Sequence, residues 1–333
     1  MLTWLDHYCR QVARLVDEKW HGGDPRKALA FQVTQRIQQA QRGTLPFDGI
    51  LDEAFHAMLG FFIAEYIPAG GTLRFKGGRP VRPLGLLLTR QTANLLSAAK
   101  PIDMTDESWR AEIGSDRAVY VDVPHGAVLL DADAGKGDMI QLRAIFAAPF
   151  MPPDKPGHTL FIAQMTERGS EQGRGRVAGV LTPDGGVAQF GSADKGAAAA
   201  DVSMKAPHAH PLLQRAVLGR AGTFLRLVLA YHCFGPEEAR EPVAATPTER
   251  LRGGKPRKDE SLFALTRLNA SEAVGRPKGT IPDSWSLASR QEVAGHFKLQ
   301  AYGPQSSLRR MIWVNPYERG PEDAPTKPRA HRL

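Results

Sequence analysis

Apolar residues along the first third of the chain recur at helical spacing. Trp4, Tyr8, Val12 and Leu15 fall three or four residues apart, which predicts a first helix. Asp24-Pro25 supplies a side-chain acceptor at an N-cap followed by proline at the first helical position. Leu29, Val33, Ile37 and Ala40 then form a stripe that Gly43 stops. Leu51, Phe55, Met58, Leu59, Phe62 and Ile63 predict a third helix, from about Asp48 to Tyr66, closed by Pro68-Ala69-Gly70-Gly71. Leu84 to Ser97 reads as a fourth.

The pattern then changes. Val119–Val123, Val128–Leu130, Met139–Phe146, Thr159–Met165, Arg176–Leu181 and Val187–Phe190 are short β-rich runs separated by turn residues. Turns rather than helices between them predict an antiparallel sheet. A long helix follows, from about Pro211 to His232. Glu237–Asp259 holds Pro, Ala, Thr, Gly and charge with almost no large apolar side chain, and reads as an exposed linker. Leu262–Leu268 predicts a strand, Ser289–Gly320 a strand-rich block, and 321–333 a fraying tail. The expected fold is α+β: a helical N-terminal region followed by an antiparallel sheet that a C-terminal β-hairpin completes. The expected divisions are a helical region over 1–110, a β-rich region with its long helix over 111–236, a linker over 237–260, basic strands over 261–320 and the tail.

Composition adds the class of partner. The chain has 333 residues and a formal net charge of +8. From Ala245 onward there are 16 Lys+Arg against 9 Asp+Glu; the preceding 244 residues hold 27 against 26. The basicity therefore belongs to the last quarter, an asymmetry that suits a polyanionic partner. Two cysteines, both in segments of helical pattern, form no disulfide framework and read as buried free thiols, which fits a cytoplasmic setting. The apolar stretches are too short to span a bilayer, so no membrane partner is expected.

Most motif candidates dissolve on inspection. Gly173-Arg174-Gly175-Arg176-Val177-Ala178-Gly179 lacks the spacing of a dinucleotide fingerprint and reads as a hairpin loop. Gly135-Lys136-Gly137 lacks the remainder of a phosphate loop. His208-x-His210 and Asp131-x-Asp133 with Asp138 lack further ligands at useful spacing. No cofactor or metal is expected.

Two basic segments remain. Arg74, Lys76, Arg79 and Arg82 place four cations in a Gly-containing stretch of nine residues with no acid, a composition that can approach phosphates closely. The stronger constellation is Gly295–Gly320, which reads as two strands joined by Gly303-Pro304-Gln305-Ser306-Ser307. Alternation puts His296, Lys298 and Gln300 on one face of the first strand and Phe297 and Leu299 on the other; in the second, Arg310, Ile312 and Val314 oppose Met311 and Trp313. Lys298, Arg309 and Arg310 are the expected phosphate contacts, with Tyr302 or Trp313 stacking on bases.

The pattern Gly-His-Phe-Lys…Tyr-Gly-Pro…Arg-Arg…Trp-Val…Pro-Tyr…Arg-Gly over about 30 residues is similar to the C-terminal signature of uncharacterised proteins encoded by phages, plasmids and other bacterial mobile elements. This resemblance implies a mobile-genetic-element setting and no particular activity.

The leading expectation is nucleic-acid binding, with RNA preferred because the reading surface is expected to be an aromatic strand pair. One alternative is a metal-independent, toxin-like ribonuclease with His296 as base or acid, Arg309 or Arg310 stabilising charge and Tyr302 in proton transfer. The other is a factor that contacts a host protein, which would display an apolar patch on the helical third.

Overall fold

The computed structural model describes residues 2–42, 49–67, 83–100, 118–131, 139–150, 158–167, 173–182, 186–189, 211–246, 261–270, 290–321 and 325–327. Among them, one large mixed sheet lies between two layers of helices.

Helix α1 (Trp4–Leu15) opens on a capping box in which Thr3 and Asp6 satisfy each other's backbone N–H. Its buried residues are Leu5, Asp6, Cys9 and Val12, whereas Leu15 is exposed, so the stripe is turned slightly from the one the spacing predicts. After the short α2 (Glu18–His21), Asp24 caps α3 (Pro25–Gln41): its carboxylate accepts from the Arg26 N–H at 3.0 Å. Ala28, Leu29, Val33 and Ile37 face inward along α3, as do Phe55, Met58 and Leu59 along α4 (Gly49–Phe62).

Leu84–Leu88 is strand β1, followed by Thr89 as N-cap of α5 (Arg90–Ser97). This corrects the expectation of one helix from Leu84. A run of four leucines and a glycine has no polar face because both of its faces are covered, which is the habit of a central strand. β1 pairs in parallel with β2 (Val119–Asp122) on one side and with β9 (Leu265–Leu268) on the other. The sheet is accordingly mixed rather than purely antiparallel. The remaining members are antiparallel: β3 (Leu129–Asp131), β4 (Met139–Phe150), β5 (His158–Glu167), β6 (Gly173–Leu181), β7 (Val187–Gln189) and β8 (Arg240–Val243). Spatial order is β7-β6-β5-β4-β2-β1-β9-β8, with β3 on β4.

Two further expectations change. The glycines at 173, 175 and 179 lie inside β6 and not in a loop. At Gly179 a Cβ would stand 2.8 Å from the Phe161 ring and 2.9 Å from Leu218, so its bare backbone lets the long helix α6 (Pro211–Phe234) settle on the sheet. Arg240–Val243, read as linker, is the edge strand β8, and Thr246 is buried, with its N–H and hydroxyl donating to the Ser261 carbonyl at 2.9 and 2.8 Å. Glu237–Ala239 form a 3-10 turn, and residues 247–259 of that segment lie outside the described residues.

Alternation assigns the two faces. Val119, Val121, Ile145, Phe161 and Ala163 join α5 and α6; Tyr120, Phe146 and Ile162 join α1, α3 and α4. The N-terminal layer is tied down by buried polar groups. Asp6 accepts from the Leu262 N–H at 2.7 Å, and the Arg26 guanidinium, paired with Asp24 at 3.1 Å, donates to the carbonyls of Thr246 and Leu262. Asp122 accepts from the Trp4 N–H at 2.6 Å and from the Tyr120 hydroxyl at 2.5 Å.

Candidate nucleic-acid interface

The C-terminal strands do not complete the large sheet. β11 (His296–Tyr302) and β12 (Leu308–Val314) form a separate antiparallel hairpin, and β10 (Arg290–Val293), β13 (Tyr317–Arg319) and β14 (Thr326–Lys327) form a small sheet of their own. The expected fraying tail thus includes a short strand, Thr326–Lys327, paired with β10. The edge of the large sheet nearest in sequence, β8, carries Pro242, which has no N–H to offer another strand.

The hairpin docks instead through its inward side chains. The Trp313 ring lies edge-on to Tyr231 of α6 at 5.4 Å and to Phe297 at 4.9 Å, and only 8% of Trp313 is exposed. Met311 packs against the same core. A Cβ at position 295 would stand 2.5 Å from the indole, so Gly295 is the residue that admits the ring. The indole N–H donates to Asn315 at 2.7 Å, and the Tyr231 hydroxyl donates to the Asn269 carbonyl at 3.0 Å.

The register fixes what faces outward. His296 opposes Val314, Lys298 opposes Ile312, Gln300 opposes Arg310 and Tyr302 opposes Leu308. Cross-strand partners share a face, so these residues lie opposite the Phe297, Met311 and Trp313 side. Lys298, Gln300 and Arg310 are exposed. The Arg310 guanidinium lies 5.5 Å from the centre of the Tyr302 ring, within cation–π range, and Tyr302 is 42% exposed. His296 is half-buried, and its Nδ1 lies 3.0 Å from the Ala294 carbonyl. Since a carbonyl only accepts, Nδ1 carries a proton, and in the neutral tautomer Nε2 is the acceptor.

The expected residues are therefore only partly brought together. His296, Lys298, Tyr302 and Arg310 share one face. Trp313 is turned into the core, a correction to its expected stacking role: its ring area is already used against Tyr231 and Phe297. Arg309 pairs through its backbone with Ala301. Arg74, Lys76, Arg79 and Arg82 lie outside the described residues. Gln300 joins the face, as the alternation of the strand indicated. From His296 to Val314 the hairpin holds three cations, Lys298, Arg309 and Arg310, and no carboxylate.

At the tip, Gln305 and Ser306 adopt φ of 51° and 56°, a left-handed conformation uncommon for residues with a Cβ. Backbone bonds from the N–H of Ser306 to Gly303 and of Ser307 to Pro304, both 3.1 Å, hold the turn.

A second polar cluster lies at the carboxyl ends of β1 and β2, the customary ligand position of open α/β sheets. There Arg90 donates to the His125 carbonyl at 2.8 Å, Gln141 donates to His125 Nε2 at 3.1 Å, and Gln141 Oε1 accepts from the Gly126 N–H at 2.9 Å. These bonds hold the His125-Gly126 turn.

Among the described residues no group of His, Cys, Asp and Glu could hold a metal ion, and no helix is long and apolar enough to cross a membrane. No protein-family model, curated protein or solved structure matches the chain.

Proposed function

We propose that the chain binds nucleic acid through the outward face of the β11–β12 hairpin, in the mobile-element setting that its C-terminal signature implies. The observation that carries this reading is the acid-free cationic face itself: Lys298 and Arg310 are exposed beside Tyr302, on a ribbon whose other face is anchored to the core. Cations without neighbouring carboxylates stay available to phosphates, and a docked ribbon loses little conformational freedom on binding.

Salt tests it. Each phosphate neutralised releases counterions, so affinity falls linearly with salt on logarithmic axes. Replacing Lys298 and Arg310 together with alanine should reduce that slope by about 1–2 while leaving the thermal melt unchanged. An unaltered affinity and slope in the folded double variant would remove the hairpin from the interface.

A metal-independent ribonuclease is the second reading, favoured by one observation. His296 shares the face of Lys298, and its bond to Ala294 leaves Nε2 as a proton acceptor. A general base contributes about a hundredfold to ten-thousandfold in rate. The expected outcome of incubating labelled total RNA with the protein in EDTA is no cleavage above a mock purification, for wild type and His296→Gln alike. Cleavage leaving 2′,3′-cyclic phosphate ends, lost in the variant, would install the ribonuclease instead. A protein-contact role has less support. Leu15 and Trp20 are exposed on the helical third, but the Trp20 ring is already stacked on Phe31 at 5.3 Å and approached by Lys19.

A further inference from the structure

We infer that the nucleic acid is duplex DNA, and that the hairpin enters its major groove as a two-stranded ribbon with Gln300 and Arg310 against base edges. This rests on the nucleic-acid reading above and narrows it to one substrate class.

The first ground is the fate of the aromatic rings. Recognition of single strands works by stacking unpaired bases on open rings. Phe297 and Trp313 are spent on the core, and Arg310 lies over Tyr302. The outward face is left with the Tyr302 ring, already partnered, and the half-buried imidazole of His296 at the other end of the strand, not the succession of open platforms that a single strand requires.

The second ground is shape. As far as Leu299, the side chains on the inward face are half-buried or buried; from Gln300 to Leu308 every residue is exposed, Ala301 of the inward face included. The ribbon therefore leaves the body of the protein at Gln300 and projects. At about 3.4 Å per residue, three strand residues extend roughly 10 Å before the turn. The major groove of B-form DNA is about 8.5 Å deep and about 12 Å wide, and it admits a two-stranded ribbon. The narrow major groove of A-form RNA does not.

The third ground is the chemistry of the projecting part. Gln300 carries a donor and an acceptor on one amide, the pair that matches adenine in the major groove; Arg310 carries the fork that matches guanine. The two are opposite in register, hence about 5 Å apart at Cβ, so both side chains can reach adjacent base pairs stacked about 3.4 Å apart. The Tyr302 ring, 5.5 Å from the guanidinium, gives the fork a cation–π neighbour on the same face. Lys298, one step nearer the core on the same face, is placed for phosphate.

The test uses the full chain and fluorescence anisotropy with four probes of one random sequence: a 20-base-pair DNA duplex, its single strand, the same strand as RNA, and duplex RNA. Duplex DNA is expected to bind at least about tenfold tighter than the others. Selection from a random duplex pool should enrich a preferred site. On the enriched duplex, Gln300→Ala should lose about fivefold to a hundredfold and relax the preference at one position, while Lys298→Ala weakens all duplexes alike. Methylation of guanine N7, which lies in the major groove, should block binding. Single-stranded RNA binding as tightly as duplex DNA, or binding insensitive to N7 methylation, would overturn the inference and leave the nucleic-acid reading standing. No binding to any of the four probes would overturn both.

Discussion

Asp122 is the residue whose surroundings set the most definite expectation. Burial pushes its carboxyl up to about 6 from an ordinary 3.8, although the Tyr120 hydroxyl and the Trp4 N–H both donate to it and pull the other way. The same burial, reinforced by the carboxylate, raises the Tyr120 phenol. A folded-state value above the unfolded one means that the native protein holds this proton more tightly. The stabilisation is thus complete below about pH 4 and is lost as pH rises through about 6. An Asp122→Asn substitution would keep an oxygen for the Trp4 N–H and carry no charge. In urea denaturation, the stability of wild type relative to this variant should therefore rise by about 2 kcal/mol between pH 7.5 and pH 4. A difference independent of pH would show that the carboxylate is not desolvated. Cys9, by contrast, is buried with its thiol raised, chiefly by desolvation, and stays inert.

Between elements, α6 is seated closely on β5 and β6. At Gly179 even a methyl group would overlap Phe161 and Leu218. Gly179→Ala should cost about 1–3 kcal/mol through overpacking and lower the melting temperature by several degrees. An unchanged melt would mean that α6 shifts freely over the sheet. The hairpin is the element most legible in the sequence. Its strands, its turn and the division of its faces follow from period-two alternation, because one side is buried and the other wet. Two features were not legible for the same reason. Leu84–Leu88 is apolar on every side, so periodicity cannot separate strand from helix there, and the parallel pairing of β1 joins residues far apart in sequence. Nor does alternation distinguish an aromatic that meets a base from one that meets a helix. The inward turn of Trp313 depends on Tyr231, 82 positions away, and nothing local announces it.

For the molecule as a whole, the sheet separates two kinds of surface. One face is covered by α1, α3 and α4, pinned by Asp6, Asp122 and the Asp24–Arg26 pair; the other carries α5, α6 and the docked hairpin. The Asp6 contact with Leu262 also imposes an order of events on the growing chain. The two residues are 256 positions apart. At about 5–20 residues per second, the acceptor on α1 waits on the order of ten to fifty seconds for its donor to be made. Over the same interval β1 has β2 beside it but not β9, and its other edge presents open backbone groups. Until the ribosome has passed Leu268, the N-terminal layer can assemble but cannot lock, and the nascent protein depends on chaperones or on speed to keep that edge from pairing with a stranger.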